Sequence, residues 1–505
     1  MGLVLNTSKC GSYSRTDGED EDNAPFLPQI REGYKYLGLI QLERDTTQNC
    51  DNIEEKILRE TEKIFRSDLT IPQKVHLFNT STIPSAIYVF GNIFPEEKRS
   101  TTLKKCRDLD KHIRKILTIE NHKGRTTSNA HIYLPTSRGG MALKSIELET
   151  EIQLVRRGIY LKSRSDLPET RKRYEELKVA GWRNPISDHD FVMNKYKCPT
   201  LDYQQENIGQ NCKIVKEHIY KKYQEELEAE WTRDMHYGRV ILKEEKIIEF
   251  PAYTSPLMDH WRFSLLHSAA EEQIHGLGGT AGRSRKCRRC NTTTETAYHV
   301  SSGCIIGAYT TRHDCVVHWV LKSILLNLNA PQEIMANFPF GKVSFNPTFV
   351  IEGRKVVVRA GGNIYTEKRI HHNKPDILVR FTNPEVIFIF EIAVAHVQNI
   401  RTQEKIKRTR YTVNGVESID HRNHETVGRD LNLVAELESQ YHCPVHLGIF
   451  VVGCYGEILR TEEHKNFASL LTQIGLTNFE TRLINKCSYS VAVSTTNILL
   501  KHLSI

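Results

Sequence analysis

Two neighbouring apolar runs dominate the hydrophobic pattern: Ile377 to Phe381 and Val386 to Ala395, separated by Thr382-Asn383-Pro384-Glu385. β-Branched and aromatic residues on both sides of an Asn-Pro turn signal predict a β-hairpin. Centring the turn between Asn383 and Pro384 sets Asp376 opposite Glu391, each equally far from the centre. Directly opposed side chains have Cβ atoms about 4.5–5.5 Å apart, and like charges so placed destabilise the pair. Both strands are otherwise apolar, as in strands covered on both sides by helices. Burial therefore adds to the repulsion, and a cation is required between the two acids.

Two sources of that cation stand open. Hard carboxylate oxygens suit Mg²⁺, which takes one or two carboxylates and keeps several waters. Alternatively, the hairpin holds a buried acid paired with Lys or Arg. The basic run 401–410 reads as a helix just after the second strand, and it offers Lys405, Lys407, Arg408 and Arg410.

Elsewhere the period is helical. Apolar residues recur at helical spacing over 52–65, 101–117 and 261–274. Pro72 and Pro84 bracket a further helical run in which Val75, Leu77 and Phe78 face a core. Residues 161–248 are charged and helical, with Glu225 to Trp231 followed by His236 and Gly238, and read as a linker. Gly276 to Gly282 reads as a flexible joint. The chain is thus expected to be mixed α/β and multidomain, its 505 residues being enough for three or four domains.

Composition refines this picture modestly. Net charge is +8, from 69 Lys+Arg against 61 Asp+Glu, so the placement of charge matters more than its sum. Residues 99–125 hold nine Lys/Arg and three acids, and five of the seven residues 283–289 are basic; both are candidate phosphate contacts or plain solvated faces. No basic segment with an apolar core opens the chain and no apolar run approaches 18 residues, so no membrane partner is expected. Position 6 is Asn6, which leaves myristoylation unsupported. Nine of the twelve cysteines are scattered without a framework, as in a reduced intracellular protein.

The other three cysteines are not scattered. Cys287, Cys290, His299 and Cys304 form C-x2-C-x8-H-x4-C. Paired thiolates on a tight turn, completed by a later His and Cys, make a closed tetrahedral site for structural Zn²⁺. Around the first pair sit Arg283, Arg285, Lys286, Arg288 and Arg289. They read either as nucleic-acid contacts of a zinc knuckle or as charge offsetting three thiolates.

Pro375-Asp376, Glu391 and Lys407 together resemble the PD-(D/E)xK nuclease constellation. One departure is plain: the position two after Glu391 is Ala393, so the lysine must come from the next helix. The wider order extends the likeness. Glu295-Thr296 before His299, then Tyr309, Arg312, His313 and Val316, then Lys374-Pro375-Asp376, Glu391, Glu404, Lys407 and Arg410-Tyr411 resemble the C-terminal half of the polyprotein of site-specific non-LTR retrotransposons with a restriction-like endonuclease. Residues 1–14 with Lys9, followed by the polar loop 15–24 and Gly33-Tyr34-Lys35-Tyr36-Leu37-Gly38-Leu39, resemble the strand, turn and primer-gripping hairpin that follow the catalytic aspartates of reverse transcriptases. Residues 43–160, with Asp110, Ile113, Arg114, Leu117, Tyr133-Leu134-Pro135 and Arg138-Gly139-Gly140, resemble their thumb.

The resemblance implies a palm remnant over 1–42, a helical thumb over 43–160, a helical linker over 161–262, a CCHC zinc knuckle over 263–308 and a restriction-like endonuclease domain over 309–505. It implies catalysis by Asp376, Glu391 and Lys407, catalytic Mg²⁺ on Asp376 and Glu391, and nucleic-acid binding by Arg288, Arg289, Arg312, His313 and Arg410. Tyr411 gains no chemical role. Double-stranded target DNA and element RNA are the implied partners, and the nucleus is the implied location.

Polymerases of this type need paired aspartates to hold two Mg²⁺ ions, and no Asp-Asp pair occurs here. Fingers and most of the palm are expected to be missing, as in a truncated copy or partial gene product. Three readings compete: a metal-dependent DNA endonuclease, a catalytically idle nucleic-acid-binding remnant, and a target-primed reverse transcriptase seen in part. The purified chain should therefore show no primer extension on an RNA template with any divalent metal, while binding structured RNA in a salt-dependent way. Templated nucleotide incorporation by clean protein would overturn this expectation.

Overall fold

The computed structural model describes residues 34–36, 39–41, 47–92, 99–244, 247–277, 286–305, 309–339, 344–368, 370, 372–414, 416–420 and 425–504. Lys9, the loop 15–24, Arg283, Arg285 and most of the Gly276 to Gly282 joint lie outside the described residues. Of the expected palm remnant, only the antiparallel pair β1 (Tyr34–Tyr36) and β2 (Leu39–Gln41) is described.

The chain is mixed α/β and divides into two compact units, one from 1–69, 73–120 and 143–226, the other from 70–72, 121–142 and 227–505. The five expected segments do not match this division. The boundary at 160/161 falls inside the Ile146–Ser163 helix, and the one at 262/263 inside the His260–Ala270 helix. Residues 121–142, expected in the thumb, group with the second unit. A continuous hydrogen-bonded helix and a shared core override the boundaries that the resemblance implies.

Apart from the β1–β2 pair, the described residues of the first unit are built from helices. Leu103, Leu148, Ile152, Val155 and Ile159 share one core with Val192, Val215 and Ile219, so the supposed linker is packed structure. The Ile146–Ser163 helix starts where buried Asp110 accepts the Ile146 amide at 2.9 Å, the Glu147 amide at 3.1 Å and the Ser145 hydroxyl at 2.7 Å. These bonds satisfy amides that a helix start leaves orphaned. The run expected between Pro72 and Pro84 is helical: Ile71–Leu77 continues through a π-helical turn, Phe78–Thr82, into the Ile83–Phe90 helix, whose second residue is Pro84, and the wider turn falls just before the residue that lacks an N–H. Val75 and Phe78 are buried as expected, whereas Leu77 is exposed.

The second unit is built on a seven-stranded sheet. Its strands are β3 (Ile248–Glu249), β4 (Thr348–Ile351), β5 (Arg354–Ala360), β6 (Ile377–Phe381), β7 (Val386–Ala395), β10 (Val445–Gly453) and β11 (Ile458–Leu459), in the order β3-β11-β10-β7-β6-β5-β4. A separate two-stranded pair, β8 (Val416–Asp420) and β9 (Glu425–Asp430), lies between β7 and β10 in sequence. Within the large sheet only β7 and β10 run parallel; the other pairs are antiparallel. Strand β3 comes from the expected linker, which also supplies the buried Trp231.

Alternation sorts the β7 side chains. Phe388, Phe390 and Ile392 join a core with Phe450, Phe467 and residues of the Tyr309–Asn327 and Ile484–Leu503 helices. Ile387, Ile389 and Glu391 point to the opposite face, where the Ile400–Thr412 helix packs. The Gly139-Gly140 turn is set by close backbone approach: Gly139 has φ +75°, and a Cβ at Gly140 would lie 2.0 Å from the Leu134 carbonyl oxygen.

Phe450 is fully buried, with its ring 5.1 Å from Phe467 and 5.4 Å from Phe479. Phe450→Ala should cost about 3–5 kcal/mol in denaturant unfolding, whereas Ile406→Ala, at a residue 42% exposed, should stay within about 0.5 kcal/mol of wild type. Equal losses for the two variants would contradict this core assignment.

Candidate active site and metal centre

The β6–β7 register matches the pattern-based expectation. Ile377 pairs with Phe390 and Phe381 with Val386, so the next residue outward, Asp376, stands opposite Glu391. The turn contains a cis Asn383-Pro384 peptide. Glu391 is buried and Asp376 half-buried.

Each carboxylate is held by several donors. The Asp376 amide donates to Glu391 Oε1 at 3.1 Å, and the Ile392 amide donates to Asp376 Oδ2 at 2.8 Å. Lys407, from the Ile400–Thr412 helix, places Nζ 2.6 Å from Glu391 Oε2 and 4.0 Å from Asp376 Oδ2. His313 places Nε2 3.3 Å from Asp376 Oδ1 and 3.1 Å from the Ile392 carbonyl oxygen, with Nδ1 3.1 Å from Asp314. Tyr411 donates to the Lys374 carbonyl at 3.3 Å, and burial together with the neighbouring Glu391 pushes its phenol up.

This crowding separates the two acids electrostatically. Burial, then the Asp376 charge, pushes the Glu391 carboxyl up to about 7 against the pull of Lys407. Burial also pushes Asp376 upward, but His313, Lys407 and the Ile392 amide outweigh it and hold that carboxyl below its ordinary value. Burial lowers His313, yet its bonds to Asp376 and Asp314 lift it to about 9, making it a cation at neutral pH.

The remaining predicted residues go elsewhere. Arg312 is 2% exposed and donates to the Ser301 carbonyl at 2.7 Å and to Thr495 Oγ1 at 2.9 Å. It is an internal brace and cannot reach a phosphate. Arg288 makes two bonds with Glu295, at 2.8 and 2.9 Å, and one with the Gly276 carbonyl at 2.6 Å. Arg289 donates to the Lys501 carbonyl at 2.6 Å. Arg410 is half-buried on the Ile400–Thr412 helix. His313, expected to touch nucleic acid, is instead bound to Asp376. Neither that contact nor the one from Tyr411 has a local sequence signal, since the partners are distant along the chain.

Cys287, Cys290, His299 and Cys304 converge, with ligand atoms all within 4.8 Å of one another. Cys287 and Cys304 sulfurs are 3.9 Å apart, and Cys290 Sγ is 3.3 Å from His299 Nε2. The other ring nitrogen, Nδ1, is 2.9 Å from Thr293 Oγ1, the kind of partner that orients a ligating imidazole. Hydrogen bonding from Thr292 holds the Cys290 thiol down at about 5, in the metal-binding thiolate form. The group can hold a metal ion, and three sulfurs with one imidazole suit zinc. Among the described residues no helix is long and apolar enough to cross a membrane.

No known family model matches the chain, and no curated protein matches it significantly.

The four-ligand group should bind about one zinc per chain, with release of protons as thiolates engage the metal. Metal analysis of wild type against Cys290→Ser checks this, and equal zinc content in the two would refute it.

Proposed function

We propose that the chain is a metal-dependent DNA endonuclease of the restriction-like PD-(D/E)xK type, carrying a structural zinc knuckle and acting in the nucleus as part of a site-specific non-LTR retrotransposon protein. The observation that carries this reading is the facing of Asp376 and Glu391 across a buried hairpin with Lys407 Nζ 2.6 Å from the second acid. A structural ion pair needs one acid, whereas this site holds two carboxylates, a lysine and a cationic histidine. Perturbed, mutually coupled titratable groups of this sort concentrate at functional sites.

The departure at Ala393 has a geometric counterpart. Ala393 alternates onto the same face as Glu391, and Lys407 reaches that face from the adjoining helix. Asp376 and Glu391, with hard oxygen donors, would hold Mg²⁺. When bound, that ion supplies activation of water and charge stabilisation at a scissile phosphate. Lys407 offsets negative charge beside Glu391 and orients a nearby water. His313 fixes the Asp376 carboxylate, and Tyr411 fixes Glu391. Double-stranded DNA is the proposed substrate of this unit, and the basic segment 99–125, most of which lies in the helical unit, is proposed to follow nucleic-acid backbone, including element RNA.

Asp376→Ala should abolish Mg²⁺-dependent nicking of supercoiled DNA while leaving DNA affinity unchanged or higher, because a group that repels phosphate has gone. Asp376→Asn, which keeps an acceptor for the Ile392 amide, should also be inactive. Lys407→Ala should abolish nicking too, but weaken binding slightly and make its salt dependence shallower. Nicking, affinity and thermal stability measured on the same proteins separate catalysis from folding. A variant that nicks at the wild-type rate rules out its residue as catalytic.

A further inference from the structure

A cleft of about 440 Å³ opens directly beside the acid pair. Its lining includes the charged or polar His313, Asp314 and Asp376 and the aromatic rings of His318, Phe338 and Phe345. The three rings meet at angles: Phe338 lies 4.8 Å from His318 at 40° and 5.4 Å from Phe345 at 84°. All three are only partly buried, so ring surface faces the cleft. Exposed Lys374 also lines it.

Such a cleft favours a ligand with a flat apolar body joined to an anionic end. Aromatic rings stack on nucleobases of any sequence, because every base has a π face. A fully stacked duplex keeps the faces of its bases inside the stack, and the sugars, phosphates and base edges that it does show gain little from three rings. A base turned out of the stack fills it, as in enzymes that extrude a nucleotide and hold it between aromatic and apolar side chains.

We infer that this cleft receives one unstacked nucleobase, the one flanking the phosphate presented to Asp376 and Glu391. The inference rests on the endonuclease reading, and it names the form of the substrate: DNA locally unpaired at the site of the nick. His318, Phe338 and Phe345 stack the base, while Lys374 and His313 supply positive charge near its phosphate. Substrates with a mismatch or an unpaired base at the nick are favoured, since less stacking and pairing must be broken.

The test uses a short thymidine oligonucleotide carrying one central 2-aminopurine, with Ca²⁺ replacing Mg²⁺ so that binding is read without cleavage. Stacking in the cleft should quench the probe. Phe338→Ala should weaken that binding about tenfold or more and slow Mg²⁺-dependent nicking of supercoiled DNA at least as much, whereas Phe338→Tyr should keep both near wild type. Thermal midpoint and zinc content, measured on each variant, report whether the fold is intact. A wild type that nicks without quenching the probe, or a folded Phe338→Ala that retains both quench and rate, overturns the inference. Quenching that depends on Phe338 in a protein with no nicking activity would uphold the base cleft and overturn the endonuclease reading alone.

Discussion

Two carboxylates facing each other inside an apolar hairpin impose the main constraint on the second unit. Neither can be ionised there without compensating charge and hydrogen bonds, and the compensation comes from distant parts of the chain. Lys407 arrives on the helix after β7, Tyr411 one turn further along that helix, and His313 on a helix that precedes the whole hairpin. The strands, both helices and the pairing register must all be in place before the acid pair is tolerable. The phenylalanine-rich core on the other face of β7 supplies the rigidity, with Phe467 in ring contact with both Phe390 and Phe450.

The cysteine-histidine group is joined to this site by a short path. Tyr309 OH accepts the Cys304 amide at 2.9 Å and donates to the Val300 carbonyl at 2.8 Å, so the knuckle sets the start of the Tyr309–Asn327 helix. Arg312 then ties that helix to Ser301 and Thr495, and the next residue, His313, reaches Asp376. At the knuckle's other side, Glu295 binds Arg288 and also His502, 2.8 Å away near the end of the C-terminal helix. Basic residues that look like phosphate contacts are thus engaged by protein acceptors that hold these elements together. Buried polar groups need such partners, and an arginine's five donors make it the residue best able to supply several at once.

Much of the site was legible because its signals are local. The hairpin register follows from a turn and two runs in one stretch, and the four metal ligands lie within eighteen residues. The helices around 52–65 and 101–117 follow from period, the one over 401–410 from a basic run placed just after the second strand, and all three are present. Legibility failed where packing decides. Leu77 has the period of a core residue yet is exposed, the helix before Pro84 widens into a π turn, and the charged stretch 161–248 contributes core positions such as Val192, Val215 and Ile219, together with a sheet strand. Sparse apolar residues on long helices carry too little periodic signal to reveal which face meets a neighbour.

What the sequence by itself determined is the covalent and short-range part: a β-hairpin placing Asp376 opposite Glu391, a lysine-bearing helix after it, and a closed Cys/His ligand set. Those features depend on spacing, turn chemistry and alternation, which act within a few tens of residues. Only the tertiary structure decided which of the five cations on the 401–410 helix meets Glu391, that His313 clasps Asp376, and that Arg312 is buried rather than free to bind phosphate. It also decided that three aromatic rings line a cleft next to the acids. Each of those outcomes is a contact between elements far apart in the chain, selected by how whole faces pack and by the need to give every buried charge a partner, and no local pattern encodes that choice.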